Sequence, residues 1–523
     1  MQLQDIPLAV TAVQPVELER QGISDIKSLS SLSPSFNIQS SQTETQGTSI
    51  KIRGVGTTGN NTGLESSVGV FIDGVYQSRP GVALGDLMDL ERLEVLRGPQ
   101  GTLFGRNTTA GIVKFDTIKP SQESSGRVQA SYGSYGSVSV DGGFGGPIND
   151  IASFRVSALY QHRDDYVDNT YTGPSADGTV SPKKNAMGGF DDRNVRAQLL
   201  LTPSDQFSIL ASAHARDYEG TSTLFLRNAI TKGSNTTDAP RDQVAYDEAD
   251  NNPQSYKTYG GSVKARYDFG AIDFTSITAY ETTSGYSRGD TDGGAAANFP
   301  VNGVANGFGQ SMGQVRDLDQ WTQEVRLASM GDDRLSWQAG LFYFDGRDIT
   351  DFYQRGWFLK GAARNPNNWV RLRNVNTSWA GFGQVSYDVT DKFTLTAGLR
   401  YDRERNNRTL TTSISGDNPV INGIVQGLKL AQTYGRALPA GYVEAVSPQV
   451  AAADVMQAAR LAGPGDQRIS FYRHGDDLRL KLVRRSGDIA LSDVLPVMEN
   501  LGLRVLTEHP YELEVEGERI SIQ

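Results

Sequence analysis

Leu93-Glu94-Val95-Leu96-Arg97-Gly98-Pro99-Gln100-Gly101 sets the character of the N-terminal region. An apolar strand segment ends on Arg97. Gly98-Pro99 and Gly101 then fit a tight turn that needs a permissive backbone. Working outward, Ile52-Arg53-Gly54 and Val70-Phe71-Ile72-Asp73-Gly74-Val75-Tyr76 lie upstream, and Phe104-Gly105-Arg106-Asn107-Thr108-Thr109-Ala110-Gly111 lies downstream. Ile6-Pro7-Leu8-Ala9-Val10-Thr11-Ala12-Val13 opens the series, and Asp25 to Leu32 reads as a helix.

The chain has 523 residues, enough for more than one domain. Hydrophobic residues make up 37% and there are 57 glycines, a low apolar and high glycine content for a soluble enzyme of this length. No run of eighteen apolar residues occurs, so no transmembrane helix is read. A membrane role then requires a closed β-barrel, whose strands need only alternate apolar residues. The absence of cysteine excludes disulfides, thiolate metal sites and cysteine nucleophiles. A net charge of −10 gives no footprint for nucleic acid. Met1-Gln2-Leu3-Gln4-Asp5 has no basic segment followed by an apolar core, so a secretory signal peptide is not read. For an outer-membrane protein the expectation is that the true start is missing or was removed.

Three regions differ in composition. The first runs to about Ser121. The second, from about Gly126 to Arg405, is rich in Tyr, Phe, Gly, Asn and Asp. It repeats a period-two signal: Phe154, Val156, Ala158 and Tyr160; Phe207, Ile209, Ala211 and Ala213; Val263, Ala265 and Tyr267; Trp337, Ala339, Leu341 and Tyr343; Phe393, Leu395, Ala397, Leu399 and Tyr401. Each set lies on one face of a strand. Short links near Gly146–Asp150, Thr202–Gln206, Phe269–Gly270, Met330–Asp333 and Asp388–Lys392 alternate with long polar links at about 164–192, 218–254, 283–317 and 347–376. Outer-membrane barrels alternate short periplasmic turns with long extracellular loops in this way. A soluble β-sandwich shares the strands but rarely needs four such loops on one end. About eleven strands are expected before Arg405, several near the roughly 9–11 residues of a spanning strand.

In their order and spacing, the N-terminal motifs resemble the plug domain of TonB-dependent outer-membrane receptors, and the resemblance to such a receptor continues over residues about 4–412. Thr322-Gln323-Glu324-Val325-Arg326-Leu327 and Ala397-Gly398-Leu399-Arg400-Tyr401 look like segments of the same family. The resemblance implies a fold of an α+β plug (1–121) followed by an incomplete antiparallel transmembrane β-barrel (122–415). It implies plug–barrel ion pairing by Arg53 and Arg97, with Glu324 as the candidate wall partner; the bland alternative is a solvated edge residue. Motif turns are expected at Gly54, Gly74, Gly98, Pro99, Gly101, Gly105 and Gly111. The implied activity is uptake of a scarce chelate such as a ferric siderophore, energised by the periplasmic TonB complex, whose contact segment lies upstream of Met1 in the family. No cofactor and no catalytic residue is expected.

Gly54-Val55-Gly56-Thr57-Thr58-Gly59 matches G-x-G-x-x-G, but Asn60-Asn61-Thr62-Gly63 follows with turn chemistry rather than a helix. Asp290-Thr291-Asp292-Gly293 lacks the later Glu of a calcium loop and reads as a polar turn. His162, His214, His474 and His509 form no metal-ligand spacing. Phe352, Tyr353, Arg355, Trp357 and Trp369 combine aromatics with a cation, which suits an aromatic or anionic chelate. An interfacial aromatic girdle is the equal alternative.

From about Gly423 the pattern turns helical. Ile424, Leu428, Ala431 and Tyr434 lie close to one face, and Ser447-Pro448 reads as N-cap and first position of a helix towards Leu461. Leu478–Val483, Arg504–Leu506 and Tyr511–Val515 read as strands, and Leu491–Leu501 as a short helix ended by Gly502. Leu438-Pro439-Ala440-Gly441-Tyr442 and Leu491 to Val505 resemble the non-catalytic N-terminal half of large bacterial NAD-dependent glutamate dehydrogenases. That resemblance implies a small α+β, ACT-like unit (416–523) without the catalytic lysine motif. The joint expectation is a receptor cut mid-barrel and fused near residue 420 to an unrelated fragment, a chain that would not transport. The alternatives are a genuine two-part protein, a glutamate dehydrogenase regulatory fragment with a foreign N-terminus, and a soluble β-rich binding protein.

Overall fold

The computed structural model of the chain describes residues 9–13, 35–40, 48–56, 66–79, 88–105, 107–173, 183–226, 240–247, 252–290, 299–301, 304–306, 309–331, 334–356, 367–390, 392–414, 437–439, 448–461, 463–474, 477–486, 510–515 and 518–522, with isolated residues between them. The expected helix from Asp25 to Leu32, the segments Leu491–Leu501 and Arg504–Leu506 for all but two positions, and Trp357 lie outside these residues. The chain divides into two compact units, Met1–Gly416 and Asp417–Gln523.

The N-terminal part of the first unit is built from β1 (Ala9–Val13), β2 (Phe36–Ser40), β3 (Thr48–Ile52), β4 (Val68–Ile72), β5 (Val75–Gln77), β6 (Leu90–Arg97), the single turn α1 (Gly101–Phe104) and β7 (Gly111–Thr117). Five strands form a small mixed sheet in the order β1-β6-β7-β4-β5, and β2–β3 is a separate hairpin. Phe36, Ile38, Ile50 and Ile52 of the hairpin bury against Val68, Val70, Leu93, Val95 and Phe115 of the sheet. Two of the expected turns share one geometry. Arg53 and Gly54 (φ 53° and 79°), and Asp73 and Gly74 (φ 52° and 88°), both lie in the left-handed region. That is the two-residue hairpin turn with positive φ at both centres, which matches strand twist and favours glycine second. Ile52 and Val55 exchange both backbone hydrogen bonds across the first.

Eleven antiparallel strands follow: β8 (Ser125–Tyr132), β9 (Val138–Asn149), β10 (Ala152–Arg163), β11 (Phe190–Ser204), β12 (Phe207–Thr221), β13 (Pro253–Asp268), β14 (Ile272–Asp290), β15 (Gly309–Ser329), β16 (Leu335–Gly356), β17 (Asn367–Thr390) and β18 (Phe393–Ile414). Each pairs with its sequence neighbours, and β8 and β18 are the edges of this open sheet. The expected short links lie at the ends of these strands, though β9, β11 and β17 run on into three of them, to Asn149, Ser204 and Thr390. Two expected long links do not keep their bounds: β14 and β15 run on through much of 283–317, and β16 and β17 through most of 347–376. The ladder does not require apolar residues. Polar cross-strand partners extend it, as where Arg371 forks onto Asp351 at 2.7 and 2.9 Å.

The loops after β10 and β12 are folded together. Val167, Met187, Val244 and Tyr246 form a small buried cluster. Asn169 donates to the carbonyl of Tyr246 at 2.9 Å and accepts from its N–H at 3.0 Å.

The second unit contains α2 (Pro448–Ala458), β19 (Gln467–His474), β20 (Asp477–Arg485), β21 (Tyr511–Val515) and β22 (Glu518–Ile522). The strands form an antiparallel sheet in the order β19-β20-β22-β21. Its own core joins Tyr442, Ala458, Leu461, Val483, Leu513 and Ile522. Asp454 of the helix bonds the Tyr442 hydroxyl and the Lys481 ammonium in that interior. β19 and β22 are not anticipated from sequence, because Arg468, Arg473, Glu518 and Arg519 interrupt their few apolar positions.

Gly111 (φ 146°) shows what the small sheet demands: a Cβ there would lie 2.2 Å from the Leu96 carbonyl oxygen and 2.8 Å from Ile52. Gly111→Ala is expected to cost about 2 kcal/mol or more, through strain and the close approach. Hydrogen exchange should show lost amide protection across Gly111–Thr117 while β19–β22 are unaffected.

Candidate functional site

The small sheet sits on the inner face of the large one, and alternation decides which wall side chains reach it. In β10, Arg155 and Ser157 face inward while Val156 and Tyr160 are exposed on the other side. The inward side chains form a recess for one carboxylate. Asp89, just before β6, accepts from Arg155 Nε at 2.5 Å and Nη2 at 2.7 Å, and from the Ser157 hydroxyl at 2.5 Å. Arg155 also donates to Ser125 at 3.2 Å. Gly143 of β9 makes the room, since a Cβ there would stand 2.5 Å from the Asp89 carboxylate. Asp89 and Arg155 are 1% and 3% exposed, so the pair is effectively out of water. Burial opposes ionisation of Asp89. The hydrogen bonds from Arg155 and Ser157, with the nearby charges of Arg155 and Arg127, outweigh it and hold the carboxyl below the ordinary aspartate value.

Further contacts run along the wall. Arg196 donates to the Met88 carbonyl at 3.4 Å and Gln198 to Thr117 at 3.1 Å. Gln320 of β15 accepts from the Ser78 N–H at 3.0 Å and donates to the Tyr76 carbonyl at 2.5 Å. Arg79 pairs with Asp348 of β16. The Tyr76 ring meets Phe344 edge-on at 5.9 Å. The Arg400 guanidinium lies over Phe342 and Phe382 and against Gly105, where a Cβ would come within 2.7 Å.

The residues expected from sequence are placed as follows. Arg53 is exposed on its hairpin turn. Arg97 donates to Thr11 of β1, within the small sheet. Glu324 faces inward on β15, level with Ile277, and its ion-pair partner is Arg326 at 3.5 Å. The structure brings neither arginine to Glu324. One is carried outward by the left-handed turn and the other is directed across to β1. Among the described residues, charged pairs between this N-terminal part and the wall include Asp89–Arg155 and Arg79–Asp348. Gly98 and Gly105 adopt positive φ (95° and 81°), Gly101 opens α1, and Pro99 lies between Gly98 and Gln100 in the link to that turn. Phe352, Tyr353 and Arg355 lie on β16, and Trp369 lies on β17 as the register partner of Tyr353. Asp290 accepts from the N–H groups of Gly293 and Gly294 at 3.1 and 2.9 Å, which closes a turn. Among the described residues, no group of three His or acidic side chains is placed to hold a metal.

A small mixed sheet seated against a large antiparallel sheet with an apolar outer face defines a plugged β-barrel wall. Residues 2–112 match the TonB-dependent Receptor Plug Domain. Residues 423–461 match glutamate dehydrogenase helical motif 2, and residues 466–523 its ACT3 domain. The pesticin receptor of Yersinia enterocolitica is 24% identical over 416 residues, 78% of this chain and 54% of the relative. The NAD-specific glutamate dehydrogenase of Halomonas elongata is 42% identical over 89 residues, 16% of this chain and 6% of the relative. The crystal structure of the ferric yersiniabactin uptake receptor FyuA from Yersinia pestis superposes with a TM-score of 0.62 at 18% identity, covering 92% of this chain and 64% of that one. The chain therefore joins a segment with TonB-dependent receptor homologues to a partial segment with glutamate dehydrogenase homologues. It spans about half the length of the curated receptors it matches.

Leaving one member of a buried ion pair unpartnered typically costs about 3–5 kcal/mol. Asp89→Asn should lower stability in denaturant by about 3 kcal/mol, whereas Asp116→Asn, paired to the half-exposed Arg92, should cost under about 1 kcal/mol. Because the folded carboxyl titrates below the unfolded value of about 3.9, its contribution is complete above that pH and is lost as pH falls through the folded value. Amide protection of Leu90–Arg97 should hold from neutral pH to about pH 4 and decline below it.

Proposed function

We propose that the first unit is the plug and part of the barrel wall of a TonB-dependent receptor in a bacterial outer membrane. Its substrate class is a scarce chelate such as a ferric siderophore, and its energy source is the periplasmic TonB complex. The observation that carries this reading is the seating of the plug: a buried charge pair, a second ion pair and an aromatic contact join it to the inner face of a sheet that is apolar outside. In this reading residues 1–121 are plug, 122–415 wall, and 416–523 a glutamate dehydrogenase-like α+β unit that carries no enzyme activity here.

Ligand recognition falls to the loop side. Phe352, Tyr353, Arg355 and Trp369 are proposed to contact the chelate together with Trp357, through ring stacking and one cation. The register pairing of Tyr353 with Trp369 supports this, because it holds two aromatic positions side by side. Arg53 and Arg97 are assigned to the plug turns and its β1–β6 seam. The second reading, a glutamate dehydrogenase fragment with a foreign N-terminus, accounts only for the smaller unit.

The test is expression in a siderophore-receptor-deficient bacterium behind an outer-membrane signal sequence. The receptor reading expects a heat-modifiable band in the outer-membrane fraction that binds ferric chelates from a siderophore panel. Trp357→Ala should weaken that binding about tenfold, the loss of a stacking contact worth about 1–2 kcal/mol. Recovery as a soluble monomer without chelate binding would overturn the reading. Binding without iron-dependent growth would assign the fused chain to capture alone.

A further inference from the structure

Strand direction decides the side from which the chain leaves the wall. Every neighbouring pair from β8 to β18 is antiparallel. The two ends of the sheet therefore collect different links. Residues 150–151, 205–206, 269–271, 330–334 and 391–392 join strands at one end. Residues 133–137, 164–189, 222–252, 291–308 and 357–366 join them at the other. Apart from 133–137, each link of the second set is longer than every link of the first. The lobe of Val167, Met187, Val244 and Tyr246 belongs to this long-loop end. In an outer-membrane wall the short turns face the periplasm and the long loops face outward.

The sheet has eleven strands, an odd number, so β8 and β18 run in the same direction. β8 begins at the short-link end, where the chain arrives from the small sheet. β18 begins there too, at Phe393, and finishes at Ile414 on the long-loop end. An even count would have brought the chain back to the short-link end.

The stretch that follows is too short to return. Residues 415–422 separate Ile414 from the match to glutamate dehydrogenase helical motif 2, which begins at residue 423. That is fewer than the roughly 9–11 residues of one tilted crossing strand. A returning strand would also pair along β18, which is an edge of the sheet. A crossing without such pairing would leave backbone N–H and C=O groups unsatisfied in lipid. The second unit has its own apolar core around Tyr442, Val483, Leu513 and Ile522, so it is presented as a folded body.

Resting on the receptor reading above, we propose that residues 417–523 are displayed on the outer surface of the outer membrane, the side from which a chelate arrives. The odd strand count sends them there, with no address of their own. The wall thus has a second task, the export and surface display of a small α+β unit.

The chain has no cysteine, so single-cysteine variants report one position each. Four exposed positions serve in the full chain, expressed behind an outer-membrane signal sequence. They are Arg241→Cys in a long loop, Asp150→Cys in a short link, and Met456→Cys and Ile469→Cys in the second unit. The probe is a maleimide on a polyethylene glycol too large to pass porins, read as a mass-shifted band and scaled to labelling in urea. Intact cells should label 241 and at least one of 456 and 469. Position 150 should stay unlabelled until the outer membrane is permeabilised. If 241 labels on intact cells and neither 456 nor 469 does, the display is overturned and the receptor reading stands. If 241 and 150 label alike, both are overturned.

Discussion

In the proposed reading, backbone pairing in a medium without water is the constraint on which the first unit rests. Every N–H and C=O at membrane depth must find a partner in an adjacent strand. That forces long, continuous ladders from β8 to β18, and a ladder gives each strand two faces with different tasks. In β10 the same few residues supply Val156 to the outside and Arg155 to the plug. The modest overall hydrophobicity follows directly, since only alternate positions of each strand lie on the exposed apolar face.

The inner face solves a different problem. A plug that fills a lumen must be held without an apolar core between it and the wall. Polar contacts supply the grip, and the deepest of them removes two charges from water together. Such a pair fixes position more than it adds stability, because desolvation offsets most of its attraction. Its geometry also explains where glycine is spent. Gly143 opens the Asp89 recess and Gly105 admits the Arg400 guanidinium, so wall and plug each give up a side chain where the other projects one.

The C-terminal unit is organised on other terms. Its helix and four strands enclose their own apolar core, with one buried Asp–Lys–Tyr network at its centre. The chain thus contains two solutions to burying a backbone: a ladder whose outer face is apolar, and a small apolar core between a helix and a sheet.

Much of this was legible from residues alone. Period-two runs such as Phe393 to Tyr401 specify strands, because alternation maps directly onto the two faces of a pleated sheet. The motif glycines specify turns, because positive φ at Gly54, Gly74 and Gly98 is costly for other residues. Polarity misled where it was taken for loop: β16 and β17 continue through Arg347–Gly356 and Asn367–Asn376, since cross-strand hydrogen bonds form with any side chain. The plug's partners were not legible at all. Arg53, Arg97 and Glu324 carry the right charges, yet pairing depends on which way a turn throws a side chain and how far two segments distant in sequence approach. Asp89 lies 66 positions from Arg155 with no local signal joining them. The sequence by itself determined which residues form strands and turns, because those follow from local backbone and periodicity. Only the tertiary structure decided which charges meet, because that follows from the relative placement of two sheets.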